Sequence, residues 1–123
     1  MNAEYFDRKG YLLVKVNVPW TIEAALQLLD ETKKEALNRE YHLILFDLTQ
    51  WSSPGSEMVR FYTGEHLAKV LNHPFKVAAF AEEKNINHFG EVVAINRGAF
   101  FRIFADEQSA IQWLMEDSSE APK

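Results

Sequence analysis

The sequence contains no cysteine, which excludes a disulfide framework and thiolate chemistry. That fits a reducing compartment. The opening MNAEYFDRKG lacks the apolar segment of a signal peptide, so the expected location is the cytoplasm. No apolar run approaches the ~20 residues a membrane-spanning helix requires, and no transmembrane segment is expected. Glycine is sparse: Gly10, Gly55, Gly64, Gly90 and Gly98 are scattered, forming neither a phosphate-binding P-loop nor a dinucleotide GxGxxG. Positive charge is also in deficit. Thirteen basic against eighteen acidic residues leave a net charge of −5. The pair Lys33-Lys34 runs straight into Glu35, so no basic patch forms for nucleic acid.

Catalytic and metal-binding patterns are missing as well. The histidines are His42, His66, His73 and His88, with no HxxxH or HxH among them. His66 and His73 stand seven residues apart, roughly 10 Å along a helix, too far to chelate one zinc ion at about 2.0–2.1 Å. The serines of WSSPGSE follow a strand pattern but lack the GxSxG elbow of a nucleophile. Glu82-Glu83 falls on a loop, where solvated carboxylates are ordinary. The sequence therefore predicts no catalytic residue, no metal site and no cofactor.

What is present is aromatic and apolar. Nine Phe, four Tyr and three Trp, within a hydrophobic share of 47%, supply a core with some side chains to spare for a contact surface. At 123 residues one domain is expected, over 1–116, followed by a polar, frayed tail over 117–123.

Patterning sets the order of elements. EYFDRKG and YLLVKVNV read as a hairpin turning at Lys9-Gly10 and stopped by Pro19. Thr21 is an N-cap for a helix whose stripe is Ile22, Ala25, Leu26, Leu29, Ala36 and Leu37. HLILF and FKVAAFA are continuous apolar runs, the mark of strands buried on both faces. NINHFGEVVAINRG reads as a helix ending at Arg97 and Gly98. AFFRIFA is the last strand, and Asp106 caps EQSAIQWLME, whose stripe is Ala110, Ile111, Leu114 and Met115. The prediction is an α/β fold with a mixed, largely parallel sheet. It has about five strands, an antiparallel N-terminal edge hairpin, and a cover of about four helices.

Residues 56–72 are unusual. At ~100° per residue, Met58, Val59, Phe61 and Tyr62 centre on one side and Leu67, Ala68, Val70 and Leu71 on nearly the opposite side, with Gly64 between. Such a helix is apolar almost all round. Either it kinks near Gly64, turning both halves to one core, or one half offers Phe61 and Tyr62 to a partner chain, a second copy or an apolar ligand. The preceding turn closes on Asp47, passes Pro54-Gly55 and lets Ser56 cap the helix. A turn at the carboxyl edge of a parallel sheet is also where α/β proteins place their sites. A helix N-terminus favours an anion. Ser52, Ser53 and Ser56 are therefore the candidate phosphorylation or anion site, and Trp51, Met58, Phe61 and Tyr62 the candidate partner or ligand contacts.

The closing stretch FGEVVAINRGAFFRIFADEQSAIQWL, preceded by GYLLVKV, LILFDLT and KVAAFA, resembles the STAS-like group of small bacterial proteins related to sporulation anti-sigma-factor antagonists, over roughly residues 5 to 114. The resemblance implies a mixed sheet with packed helices and a non-enzymatic, regulatory role in protein–protein interaction. It implies a kinase-like or anti-sigma regulator as partner, with contact over 49–62. In the antagonists a serine in a D-S-S-G-L-like turn is phosphorylated. Here Ser52-Ser53-Pro54-Gly55-Ser56 stands in its place, without the aspartate and with a proline intervening, so no one serine is singled out. A structurally similar lipid-carrier class implies an alternative: a small apolar ligand or lipid held between the second helix and the sheet.

Overall fold

The computed structural model describes residues 3–17, 21–50, 56–86 and 88–116. The expected tail at 117–123, the stop at Pro19, Trp51, Ser52, Ser53 and the Pro54-Gly55 turn lie outside the described residues. Strand β1 (Ala3–Asp7) and strand β2 (Leu12–Val16) form the expected antiparallel hairpin, with Phe6 opposite Leu13. Its turn requires glycine: Gly10 has φ +91°, and a Cβ there would meet Met115 Cε at 2.9 Å.

Three further strands follow, β3 (Leu43–Asp47), β4 (Lys76–Phe80) and β5 (Phe101–Phe104). The spatial order is β1-β2-β3-β4-β5, with every pair after the hairpin parallel. The parallel register aligns Leu13 with Leu45, Leu45 with Ala78, and Ala78 with Arg102. Each parallel step needs a crossover. Helices α1 (Ile22–Arg39), α2 (Glu57–Val70) and α3 (Phe89–Asn96) supply them, and α4 (Glu107–Leu114) follows β5. The mixed, mainly parallel α/β architecture expected from the apolar runs is the one observed.

Local chemistry explains the helix ends. Thr21 Oγ1 accepts from Ala24 N at 3.2 Å, and Asp106 Oδ1 accepts from Ser109 N at 2.8 Å, each satisfying an orphan donor. Gly98, at φ +98°, takes the left-handed position after α3. Two readings need correction. The buried stripe of α1 runs through Ala25, Leu28, Leu29, Thr32 and Ala36, while Leu37 is exposed. A threonine replaces an apolar residue in that stripe because its hydroxyl meets the Tyr5 hydroxyl at 3.4 Å. The helix expected over NINHFGEVVAINRG begins only at Phe89. A 3-10 turn occupies Glu83–Asn85, and His88, with φ +60°, turns the chain into α3.

The sheet divides two cores. Val14, Ile44, Phe46, Val77, Ala79 and Phe101 face one side, packed with Leu28 and Leu29 of α1, Leu67 and Ala68 of α2, and Ala94 of α3. Leu13, Leu45, Ala78 and Phe80 face the other and meet Ala110 and Leu114 of α4. Full burial of each large aliphatic contributes about 1.5–3 kcal/mol. No helix among the described residues is long and apolar enough to cross a membrane.

One buried cation interrupts this apolar sheet. Lys76, 4% exposed at the start of β4, donates from Nζ to the Trp113 carbonyl at 2.7 Å. Its ammonium lies 5.1 Å from the Phe100 ring centroid and 4.6 Å from that of Trp113. It thus caps the carbonyl end of α4 inside an aromatic bracket. Lys76→Ala is expected to lower stability by about 2–3 kcal/mol, from the lost charged hydrogen bond and cation–π contacts, as read from the urea midpoint.

Tyr5 adds a pH-dependent term. Burial raises its phenol pKa above the ordinary value, while the Thr32 hydrogen bond pulls it down. The folded chain holds that proton more tightly than the unfolded one. The contribution is therefore complete below pH ~10 and lost as pH rises through the raised folded value. Urea midpoints followed from about pH 8 to 11 should fall more steeply for the wild type than for Tyr5→Phe.

Candidate functional site

The corner where β3 hands over to α2 is fixed by short-range hydrogen bonds. Leu48 N continues the sheet by donating to the Phe80 carbonyl at 2.9 Å. Asp47, almost fully buried, then accepts on Oδ1 from Thr49 N at 2.9 Å and from Thr49 Oγ1 at 2.6 Å. This closed Asx turn ends the strand, as the sequence suggests. Beyond it, exposed Ser56 accepts on Oγ from Val59 N at 3.3 Å and caps α2. Of the three candidate serines, Ser56 is the one within the described residues, and it stands at the helix N-terminus.

α2 continues as one helix through Gly64. Its buried face is Val59, Arg60, Gly64, Leu67 and Ala68, a spacing of one helical stripe that neither apolar set of the sequence matches. Of Met58, Val59, Phe61 and Tyr62, Val59 turns inward. Met58 is 61% and Tyr62 40% exposed, one turn apart on the outer side. Phe61 is half-buried between them and the core. Its ring meets Tyr62 edge-on at 5.2 Å, and the Arg97 guanidinium lies over it at 5.2 Å. Arg97 in turn pairs with Glu65 at 3.4 Å.

Beneath α2 lies an apolar cavity of about 80 Å³. Leu28 and Leu29 of α1, Phe46, Ala79 and Ile103 of the sheet, and Leu67 of α2 wall it. Arg60, Thr63 and His88 bring polar groups to its lining. Arg60 is 8% exposed. Burial draws its guanidinium pKa below the ordinary value, with Glu57 acting in the opposite sense. Thr63 Oγ1 is buried with no hydrogen-bond partner among the described residues. Sequence reasoning missed Arg60 and Thr63. An arginine amid Met and Phe reads as a solvated interruption, and the signal that could have found it is the stripe Val59, Arg60, Thr63, Gly64, Leu67.

The histidines are dispersed. His66 Nε2 meets Asp30 Oδ1 at 2.8 Å, and the His42 ring packs on Phe75 at 6.3 Å. No cluster of three metal-ligating side chains occurs among the described residues.

No model of a known protein family matches the chain, and no curated protein matches it. Solved structures do. One is a crystal structure of an anti-sigma factor antagonist from Mycobacterium paratuberculosis, with a TM-score of 0.65 at 11% identity and 93% of each chain covered. Another is RsbS from Moorella thermoacetica carrying a serine-to-glutamate substitution, with a TM-score of 0.59 at 13% identity, covering 93% of this chain and 95% of that one. The chain has the STAS-like fold of the anti-sigma factor antagonists.

Because Ser56 caps α2 through its side chain, Ser56→Ala should cost about 1 kcal/mol. Ser56→Asp, an equally good cap that also complements the helix dipole, should hold stability within a few tenths of wild type. Chemical denaturation of the three proteins measures both.

Proposed function

We propose that this chain is a non-enzymatic, cytoplasmic regulatory module resembling the anti-sigma factor antagonists. Residues 1–116 form its working domain, and its contact surface is the 49–62 turn and helix start. The observation that carries the reading is the exposure of Met58 and Tyr62, 61% and 40%, on the outer side of α2 within two turns of the Ser56 cap. Half-buried Phe61 lies beside Tyr62 and extends this apolar set, and Trp51, close by in sequence, is assigned to the same contact. A phosphate on Ser52, Ser53 or Ser56 adds about −1.5 to −2 charges. The α2 N-terminus tolerates that charge, whereas an apolar partner face does not. The partner class that fits is a kinase-like or anti-sigma regulator able both to cover this surface and to modify it. A second copy is the competing cover.

A second reading has one observation in its favour. The apolar cavity lies between α2 and the sheet, where a carrier of a small apolar ligand or lipid would hold its cargo. At about 80 Å³ it is well below the ~300–1,000 Å³ of drug-sized ligand sites, so only a small molecule fits unless α2 moves outward.

Affinity capture from the native host, comparing wild type with the Met58→Asp/Tyr62→Asp double variant, tests the first reading. A regulator retained by wild type should be lost at least about tenfold from the variant, a loss of ~1.4 kcal/mol or more, with the circular dichroism spectrum unchanged. Incubating the captured partner with Mg-ATP should then place phosphate on one of the three serines. Equal retention by both proteins would remove the surface from consideration. A dimer in sedimentation equilibrium that dissociates in the variant would assign the surface to self-association. Lipid found by native mass spectrometry would favour the carrier.

A further inference from the structure

The outer edge of β5 carries a second feature. β5 has a single strand neighbour, β4, so its other edge presents backbone groups outward. In a parallel strand alternate residues point to opposite edges. Phe100 and Phe104 carbonyls are taken by Val77 and Ala81 of the β4 segment, which leaves the backbone groups of Phe101 and Ile103 directed away from β4. The Ile103 amide has a partner, but it is a side chain: Glu91 Oε2 accepts from Ile103 N at 2.7 Å. Glu91 Oε1 lies 2.6 Å from His88 Nδ1, which holds the carboxylate in place. The Glu91 side chain is 12% exposed. A carboxylate oxygen therefore occupies the position that a sixth strand's carbonyl would take.

An open groove of about 910 Å³ lies at the amino ends of β3 to β5 and reaches this edge at Phe101, Arg102 and Glu91. Glu91 and Ile95, one turn apart on α3, form one wall, and Phe100 and Trp113 line the other. Ile95 is 48% exposed. The charge of the lining is opposite to that of the molecule. Arg102 and the ring-bracketed Lys76 stand against the single carboxylate of Glu91 among its lining residues, in a chain of net charge −5.

From this geometry we infer that β5 is a strand-addition site for an extended, acidic peptide segment of a partner protein. Glu91 serves as the closing latch that the peptide backbone displaces from Ile103. Backbone pairing at an exposed edge supplies affinity, and side-chain pockets along it supply selectivity. Here Ile95 and Trp113 meet apolar residues, and Arg102 meets carboxylates. A second copy of this chain fits the groove less well. Its own β5, Phe-Arg-Ile-Phe, carries arginine and no acid. The surface is separate from the 49–62 corner and does not depend on it.

The test uses fluorescent ten-residue peptides, one alternating valine and glutamate and one alternating valine and lysine, titrated onto the whole chain. The glutamate peptide should bind saturably and the lysine peptide should not. Glu91→Ala frees the Ile103 amide and should tighten the glutamate peptide roughly fivefold, the worth of one exchanged hydrogen bond. Glu91→Gln keeps an oxygen acceptor and should stay near wild type, while Arg102→Glu should weaken binding by a similar factor. Amide exchange at Ile103 should slow when the peptide is bound. Absence of saturable binding to both wild type and Glu91→Ala overturns the inference, as does equal affinity for the two. A Glu91→Ala dimer that takes up no peptide assigns the edge to a second copy and overturns the peptide assignment.

Discussion

Burial of the two central strands on both faces is the constraint from which the architecture follows. Ile44, Leu45 and Phe46 of β3 and Val77, Ala78 and Ala79 of β4 are all at most 4% exposed. Strands this apolar cannot leave either face to water. Helices must therefore lie above and below, and parallel pairing lets the connections provide them. The same requirement sends each chain crossing over the carboxyl edge of the sheet, which is why the Asp47 turn and the Ser56 cap sit together there. Lys76 is the exception that the arrangement tolerates. Its stem continues the strand, while its ammonium finds a carbonyl and two aromatic rings at the end of α4.

Much of this was legible in the chain. Five strands, four helices and their order followed from apolar runs and caps such as Thr21 and Asp106, because those signals are local. α2 was the least legible element. Its buried face includes Arg60 and Gly64, and its exposed side carries Met58 and Tyr62, so the apolar residues show no helical stripe. Tertiary placement, not periodicity, decides which side faces in. His88 misled differently. A left-handed residue there shortens α3 from its N-terminal side, and nothing in NINHFGEV marks that position. The Glu91 contact with Ile103 joins residues twelve apart on different elements, a pairing that only the crossover β4–α3–β5 creates.

The two ends of the sheet differ in character. At the carboxyl end, hydrogen-bonding side chains close the backbone quickly, and exposed apolar residues lie beside them on α2. At the amino end, aromatic rings, Lys76 and Arg102 surround an open groove, and further along β5 the Glu91 carboxylate closes the strand edge. An acidic molecule with one locally cationic wall has a directional field, and approaching charged segments experience the two ends unequally.

The faces are unequal too. Three helices cover one side of the sheet, whereas on the other, among the described residues, the eight residues of α4 cover Leu13, Leu45, Ala78 and Phe80. Isolated helices of two turns are marginal, so α4 stays in place through Ala110, Leu114 and the Lys76 contact. Detaching it is a smaller event than unfolding the sheet, and it lays bare a greasy strip across three adjacent strands. The molecule's weakest point against clumping is therefore the partial opening of its thinly roofed side.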